Sequence, residues 1–172
     1  NLYWQLVSLY EKRRTLDVID SQVDQLSKIE IDDVLKKAEV GRIGTHNENG
    51  YPYVVPVHFI VYDEKIYIHG LIKGQKISNL TKNDKVGFEV DEMGAIIPDN
   101  ENVCDTNTAF RSVIILGTAK IVEDKSLKEN VLHAVVSKYT PQLSHLSFPE
   151  KMLKATGIIE IDPIEITGKY YK

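Results

Sequence analysis

Apolar positions change their period along the chain, and the changes mark out the elements. From Ile31 the spacing is helical, with Ile31, Val34, Leu35 and Ala38 on one stripe. Ser27 and Glu30 precede that stripe as an S-x-x-E capping box, and Gly41 is placed to end the helix. From Val40 the period shortens to that of a strand. Arg42–His46 forms a first strand, and Asn47–Gly50 is a hairpin turn whose Asn-Gly pair supplies positive φ. Tyr51–Tyr62 (YPYVVPVHFIVY) reads as one long strand; Pro52 and Pro56 each remove an N–H, which puts it at an edge, a bulge or a bend. A turn at Asp63–Lys65 leads into the strand Ile66–His69. A brief helix over Gln75–Lys82 precedes a strand at Lys85–Asp91, a long polar loop over Glu92–Asn107, and the longest strand, Phe110–Val122, bent at Gly117. Asp124 caps a helix running to Tyr139 with Leu127, Val131, Ala134 and Val135 on its stripe, and the chain closes on strand segments Gly157–Ile161 and Ile164–Gly168, interrupted at Pro163. These elements predict a mainly β chain with helices (α+β), with six or so antiparallel strands curling into a small closed or split barrel.

Composition narrows the class. A chain of 172 residues that is 42% hydrophobic and 27% charged suits one domain with a full core. Residues 1–26 are polar and mixed, with a charge cluster at Glu11–Arg14, and read as an N-terminal arm on a domain spanning 27–172. The opening NLYWQ is either native or similar to what a protease-cleavable purification tag leaves behind. A net charge of -4 with a pI near 5.7 argues against nucleic-acid binding. No apolar run approaches the roughly 18 residues of a membrane span, and no signal-peptide pattern opens the chain, so a cytoplasmic setting is expected. The single cysteine, Cys104, is expected to be a plain loop or edge thiol, and no histidine spacing points to a metal.

The candidate chemistry sits in Ile66–Leu80 (IYIHGLIKGQKISNL), a strand, a glycine turn carrying lysines, and the start of a helix. Gly74 opens the turn, Lys73 and Lys76 flank it, and Gln75, Ser78 and Asn79 follow. Amides at a helix start lack intrahelical partners and sit at the positive end of the dipole. The stretch therefore reads as a phosphate-binding corner for a phosphorylated cofactor, or else as a solvated lysine turn. His69, feeding that turn, is the candidate catalytic residue, as hydrogen-bond donor or proton relay; the alternative is a histidine satisfied by backbone. Arg111 is placed either to pair with phosphate or to make a cross-strand ion pair.

The order of motifs adds to this. AEVGRIGT, the hairpin turn, GYPYVVPVHF, IYIHGLIKGQKISNL, KVGFEV, FRSVIILGTAKIVED and IEIDPIEITGK follow one another as they do in a known family. The chain resembles the flavin-binding split-barrel proteins related to pyridoxamine 5′-phosphate oxidase, and among them the nitroimidazole-resistance (Nim) proteins. The resemblance covers Ile31–Lys172. It implies a six-stranded, Greek-key-like split barrel of the FMN-binding type, a homodimer with flavin at the subunit interface, and an oxidoreductase acting on a small molecule, a nitroimidazole among the candidates. It also implies residue roles. Val54, Val55, Pro56, Val57 and His58 run beside the isoalloxazine ring, while His69 and Gly70 lie under the ribityl chain or ring. Gln75 and Lys76 hold the phosphate, and Phe110, Arg111 and Ser112 reach the site from the adjacent strand or the partner subunit. FAD in place of FMN, or a non-catalytic flavin or haem binder on the same barrel, are the other readings. Two positions depart from the family pattern: Phe110 stands where tyrosine is common and His58 where asparagine is frequent. The arginine-rich C-terminal motif of true pyridoxamine-phosphate oxidases is absent from IEITGKYYK.

Overall fold

The computed structural model describes residues 24–172, so the expectations for the tag-like start and the Glu11–Arg14 cluster fall outside the described residues. The strands are β1 (Asp24–Gln25), β2 (Gly41–His46), β3 (Pro52–Val57), β4 (Phe59–Tyr62), β5 (Lys65–Leu71), β6 (Lys85–Ile97), β7 (Asn107–Ile121) and β8 (Thr156–Tyr171). The helices are α1 (Lys28–Lys37), α2 (Gln75–Leu80), α3 (Lys125–Tyr139) and α4 (Glu150–Ala155). All pairings are antiparallel, in the order β3-β2-β6-β7-β8-β5-β4, with β1 added to β8.

The sheet has eight strands, not six. One extra strand is β1, two residues too short to show a period. The other arises because Tyr51–Tyr62 is two strands that part at His58. Those halves, β3 and β4, lie at the two ends of the sheet order, so the chain itself crosses the seam where the barrel is not hydrogen-bonded shut. The prolines therefore sit on an edge strand, where a missing N–H breaks no ladder.

Local chemistry accounts for most boundaries. The capping box forms: Ser27 N–H donates to Glu30 Oε2 at 2.8 Å, and Glu30 N–H donates to Ser27 Oγ at 3.4 Å. Helix α1 ends at Lys37, before Gly41. Gly41 instead starts β2, where an added Cβ would lie 2.2 Å from the Phe88 ring, so glycine is required by packing rather than by a cap. In the Asn47–Gly50 turn only Gly50 takes positive φ, at 83°, whereas Asp63 and Glu64 form a left-handed two-residue tip at φ 49° and 60°. The expected loop over Glu92–Asn107 is shorter than read, because its first part continues β6: past an irregularity between Met93 and Ile96, Ile96 pairs with Thr108 and Ile97 with Asn107. Pro163 does not interrupt β8. It falls opposite Gly117 at a register shift, where an added Cβ on Gly117 would meet the Asp162 carbonyl at 2.4 Å.

Two apolar clusters form the core. Val34, Ile43, Phe59, Phe88, Val113, Ile115 and Ile161 fill the barrel beneath α1. Val131, Leu132 and Val135 of α3, with Leu153 of α4, cover the other face of the sheet at Ile60, Tyr67 and Ile158. Residues 157–161 of β8 are consequently buried on both faces.

Candidate functional site

Strand β5 leaves the barrel at His69 and Gly70, turns at Gly74 (φ 132°), and enters α2 at Gln75. No side chain caps the start of α2. Burial holds the Lys76 ammonium below its ordinary pKa, and no carboxylate among the described residues lies within ion-pair distance. His69 Nδ1 is buried and has no hydrogen-bond partner. Burial first, then the charges of His58 and Lys76, hold its imidazole below its ordinary pKa, so the ring is neutral at neutral pH. His58 stands 6.4 Å from His69, ring centre to ring centre, and stacks on Tyr139 at 4.5 Å. The corner is open: His58, Gly70 and Gln75 are all exposed.

Two supports hold this corner. Behind the turn, Asn79, 2% exposed, donates to Thr45 Oγ1 at 2.9 Å and to Asn47 Oδ1 at 3.0 Å, and accepts from Gln75 Nε2 at 2.8 Å. An ion pair between Lys82, just past the end of that helix, and Glu48 ties it to the same turn. At the β3–β4 break, the Tyr139 hydroxyl accepts the Phe59 N–H at 2.9 Å and Lys138 Nζ donates to the Phe59 carbonyl at 3.2 Å. Asn79 lies one helical turn after Gln75, and that spacing is the one signal of the first network legible in the sequence. The second joins residues 80 apart and leaves no local trace.

The predicted residues fall into three groups. His58, His69, Gly70, Gln75 and Lys76 gather at the corner. Val54, Val55, Pro56 and Val57 alternate along β3, Val54 and Pro56 outward, Val55 and Val57 toward the core. Phe110, Arg111 and Ser112 lie on β7, paired with β6 and β8. There the Arg111 guanidinium bonds Glu92 (Nε at 2.9 Å) and Asp33 of α1 (Nη1 at 3.1 Å), the cross-strand alternative read from the sequence.

Outward positions of the sheet form a further feature. Val54, Gly44, Gly87 and Leu116 are register neighbours across β3, β2, β6 and β7. Val54 is 58% exposed and Leu116 50%, with Ile114 beside them at 47%. Gly44 and Gly87, both half-buried, lie between them without side chains. A groove of about 1130 Å³ lies elsewhere, between α1, the β4–β5 tip, α3 and β8, and none of the predicted residues line it. Lysines and carboxylates of both signs rim it, including Lys28, Asp32, Asp63 and Lys65. It presents no buried polar atom without a partner, and the corner does. Among the described residues no set of three side chains is arranged to hold a metal ion, and no helix is long and apolar enough to cross a membrane.

A seamed antiparallel barrel with one helix plugging it and two packed outside is the split-barrel class. The chain belongs to the pyridoxamine 5′-phosphate oxidase family, whose model matches residues 27–170. In structure it is similar to a candidate 5-nitroimidazole antibiotic resistance protein of Bacteroides thetaiotaomicron (TM-score 0.77, 21% identity, 87% of each chain covered). It is also similar to an FAD and heme binding protein of Mycobacterium smegmatis (TM-score 0.78, 17% identity, 88% of this chain and 74% of that one). In sequence it is 34% identical over 90 residues to a 5a,11a-dehydrotetracycline/5a,11a-dehydrooxytetracycline reductase of Streptomyces rimosus, a match over 50% of this chain and 57% of the reductase.

Proposed function

We propose that this protein is a flavin-dependent oxidoreductase that holds FMN by its phosphate at the Gly74–Lys76 corner, between two copies of the chain. The observation carrying the proposal is the uncompensated corner. Lys76 is desolvated with no carboxylate partner, on a turn whose helix start lacks a cap, next to a buried nitrogen of His69 that bonds nothing. Folding alone gives no reason to bury such groups unpaired, and an anionic ligand with hydrogen-bonding edges satisfies them. The fit extends to FAD, which carries phosphate at the corresponding point of its chain.

The bound flavin would supply the electron transfer, and the protein supplies binding, orientation and electrostatics. Lys76 and the turn amides neutralise the phosphate. The backbone of Val54–His58 offers an exposed edge for the ring, and Tyr139 and Lys138 fix the break where that edge ends. His69, neutral at neutral pH, holds or passes a proton at Nδ1. A small electron-poor molecule is the substrate class, nitroimidazoles among them, as the names of the resistance protein and the reductase support. The exposed strip of Val54, Ile114 and Leu116 supports the dimer, because burying it against a second copy removes the largest apolar cost on that face.

A second reading has its own observation: the His58–His69 ring pair beside the seam, on a fold shared with an FAD and heme binding protein, fits a haem binder. The visible spectrum of the purified protein distinguishes them. Flavin bands, a rise in melting temperature on adding FMN, and a solution mass of twice the chain are the expected results. A protein that stays colourless and unshifted with FMN overturns the flavin reading, and a Soret band replaces it with the haem one.

A further inference from the structure

The polar network behind the glycine turn has a direction, and the direction decides what the turn shows a ligand. The Tyr53 carbonyl accepts only, so Thr45 Oγ1, 3.3 Å away, gives it its one proton. Thr45 Oγ1 is then an acceptor for Asn79, and it must be Nδ2 of Asn79 that faces it, at 2.9 Å. Asn79 Oδ1 is thereby turned to Gln75, which answers with Nε2 at 2.8 Å and directs the same amide group to Asn47 Oδ1 at 3.1 Å. Asn47 Oδ1 also takes the second amide hydrogen of Asn79, at 3.0 Å. One main-chain carbonyl thus fixes the orientation of three amides. Both N–H groups of Gln75 point into the protein, and its Oε1 is what remains for a ligand. Asn47 is the reverse case: its carbonyl accepts twice, and its Nδ2 donates to no group among the described residues.

Resting on the flavin reading above, we propose that Gln75 recognises a hydrogen-bond donor of the bound cofactor, an O–H or N–H, and not its phosphate, while Asn47 on the β2–β3 turn donates to the phosphate beside Lys76. A phosphate monoester near neutral pH offers almost only acceptors, so a carbonyl turned toward it repels it. An amide N–H₂ and an ammonium attract it. This reverses the role that family resemblance gives Gln75 and adds Asn47, a residue that otherwise reads as plain turn. Thr45 is the positioning residue, 2% exposed and acting only through Asn79.

FMN and riboflavin differ by the phosphate alone, so the ratio of their dissociation constants isolates the groups that touch it. Both ligands are titrated by flavin fluorescence against the full chain and its Lys76→Met, Asn47→Ala and Gln75→Ala variants, each checked for an unchanged fold by melting. Lys76→Met should cut the preference for FMN roughly tenfold or more, and Asn47→Ala about fivefold, with riboflavin binding little altered. Gln75→Ala should weaken both ligands by the same factor, about fivefold, and leave the ratio intact. Asn79 still holds Asn47 in that variant, which keeps the phosphate donor in place. A ratio that falls with Gln75→Ala, or that survives Asn47→Ala, overturns the proposal while leaving the flavin reading standing. Failure of the unaltered chain to bind either flavin ends both.

Discussion

Two clusters of basic side chains in this molecule are built from similar residues and end in opposite states. At the centre of β8, Glu160 is 3% exposed and receives Lys65 at 2.7 Å, Lys120 at 3.2 Å and the Tyr67 hydroxyl at 3.0 Å. Burial pushes its carboxyl up, but those three donors together outweigh burial and hold it below the usual carboxylate range. At the glycine turn, Lys76 and the imidazoles of His58 and His69 gather with no carboxylate opposite among the described residues, and burial sets the direction for both Lys76 and His69. The chain completes the first cluster by itself. The second lacks a counter-charge among the described residues, a deficit that the proposed anionic ligand would fill.

Removing the acid from the completed cluster should have the larger effect. Glu160→Ala takes the acceptor from a buried tyrosine hydroxyl and from two lysines, and should destabilise the protein by about 2–3 kcal/mol in chemical denaturation. The lysines are only partly buried and can reach water, which keeps the loss below that of a fully enclosed pair. The carboxyl also carries a pH signature. A group whose folded pKa is depressed stabilises fully above its unfolded value, here 4.5, and loses that contribution as pH falls through the folded value. Acid unfolding should therefore shift to higher pH in Tyr67→Phe, which removes one of the three donors.

The opposite sign is expected at the corner. Lys76→Met removes a desolvated charge that nothing in the described chain balances, while methionine keeps the length and helix preference of lysine. Without ligand the variant should be more stable than the natural chain by about 0.5 kcal/mol, seen as a small rise in the denaturation midpoint. A loss of stability would mean that Lys76 has an internal partner after all, and the contrast between the two clusters would fail.

The sequence made these regions unequally legible. Glycine, lysine and histidine around residues 69–76 could be read because they are contiguous, and the capped helices because their signals are local. The β3–β4 break was hidden, since a β-rich run through His58 looks the same whether the chain continues in one strand or crosses between two edges. Its cause is the grip of Tyr139 and Lys138 on Phe59, residues about 80 positions away. Glu92–Ile97 read as loop because Gly94 and the polar run that follows from Pro98 mask a strand whose side chains mostly face solvent. The amide network escaped for a similar reason: Asn47 and Asn79 are common turn and helix-surface residues until the fold sets them against each other.

The smallest effect is the most discriminating. His69 has a folded pKa below the 6.5 of an unperturbed imidazole, through burial, His58 and Lys76, and no carboxylate enters to offset them. Its neutral form is therefore the one compatible with the fold, so stability is fully present above the unfolded value and declines as pH falls from there toward the folded value. Melting the ligand-free chain between about pH 7.5 and about pH 5.5 should show this decline, well above the range where Glu160 acts. His69→Gln should flatten it, because glutamine fills similar space and does not titrate. Lys76→Met should flatten it partly, by removing one of the two charges that oppose protonation of the ring. If both variants keep the unaltered slope, the imidazole is not held neutral by its neighbours, and proton transfer at Nδ1 loses its physical basis.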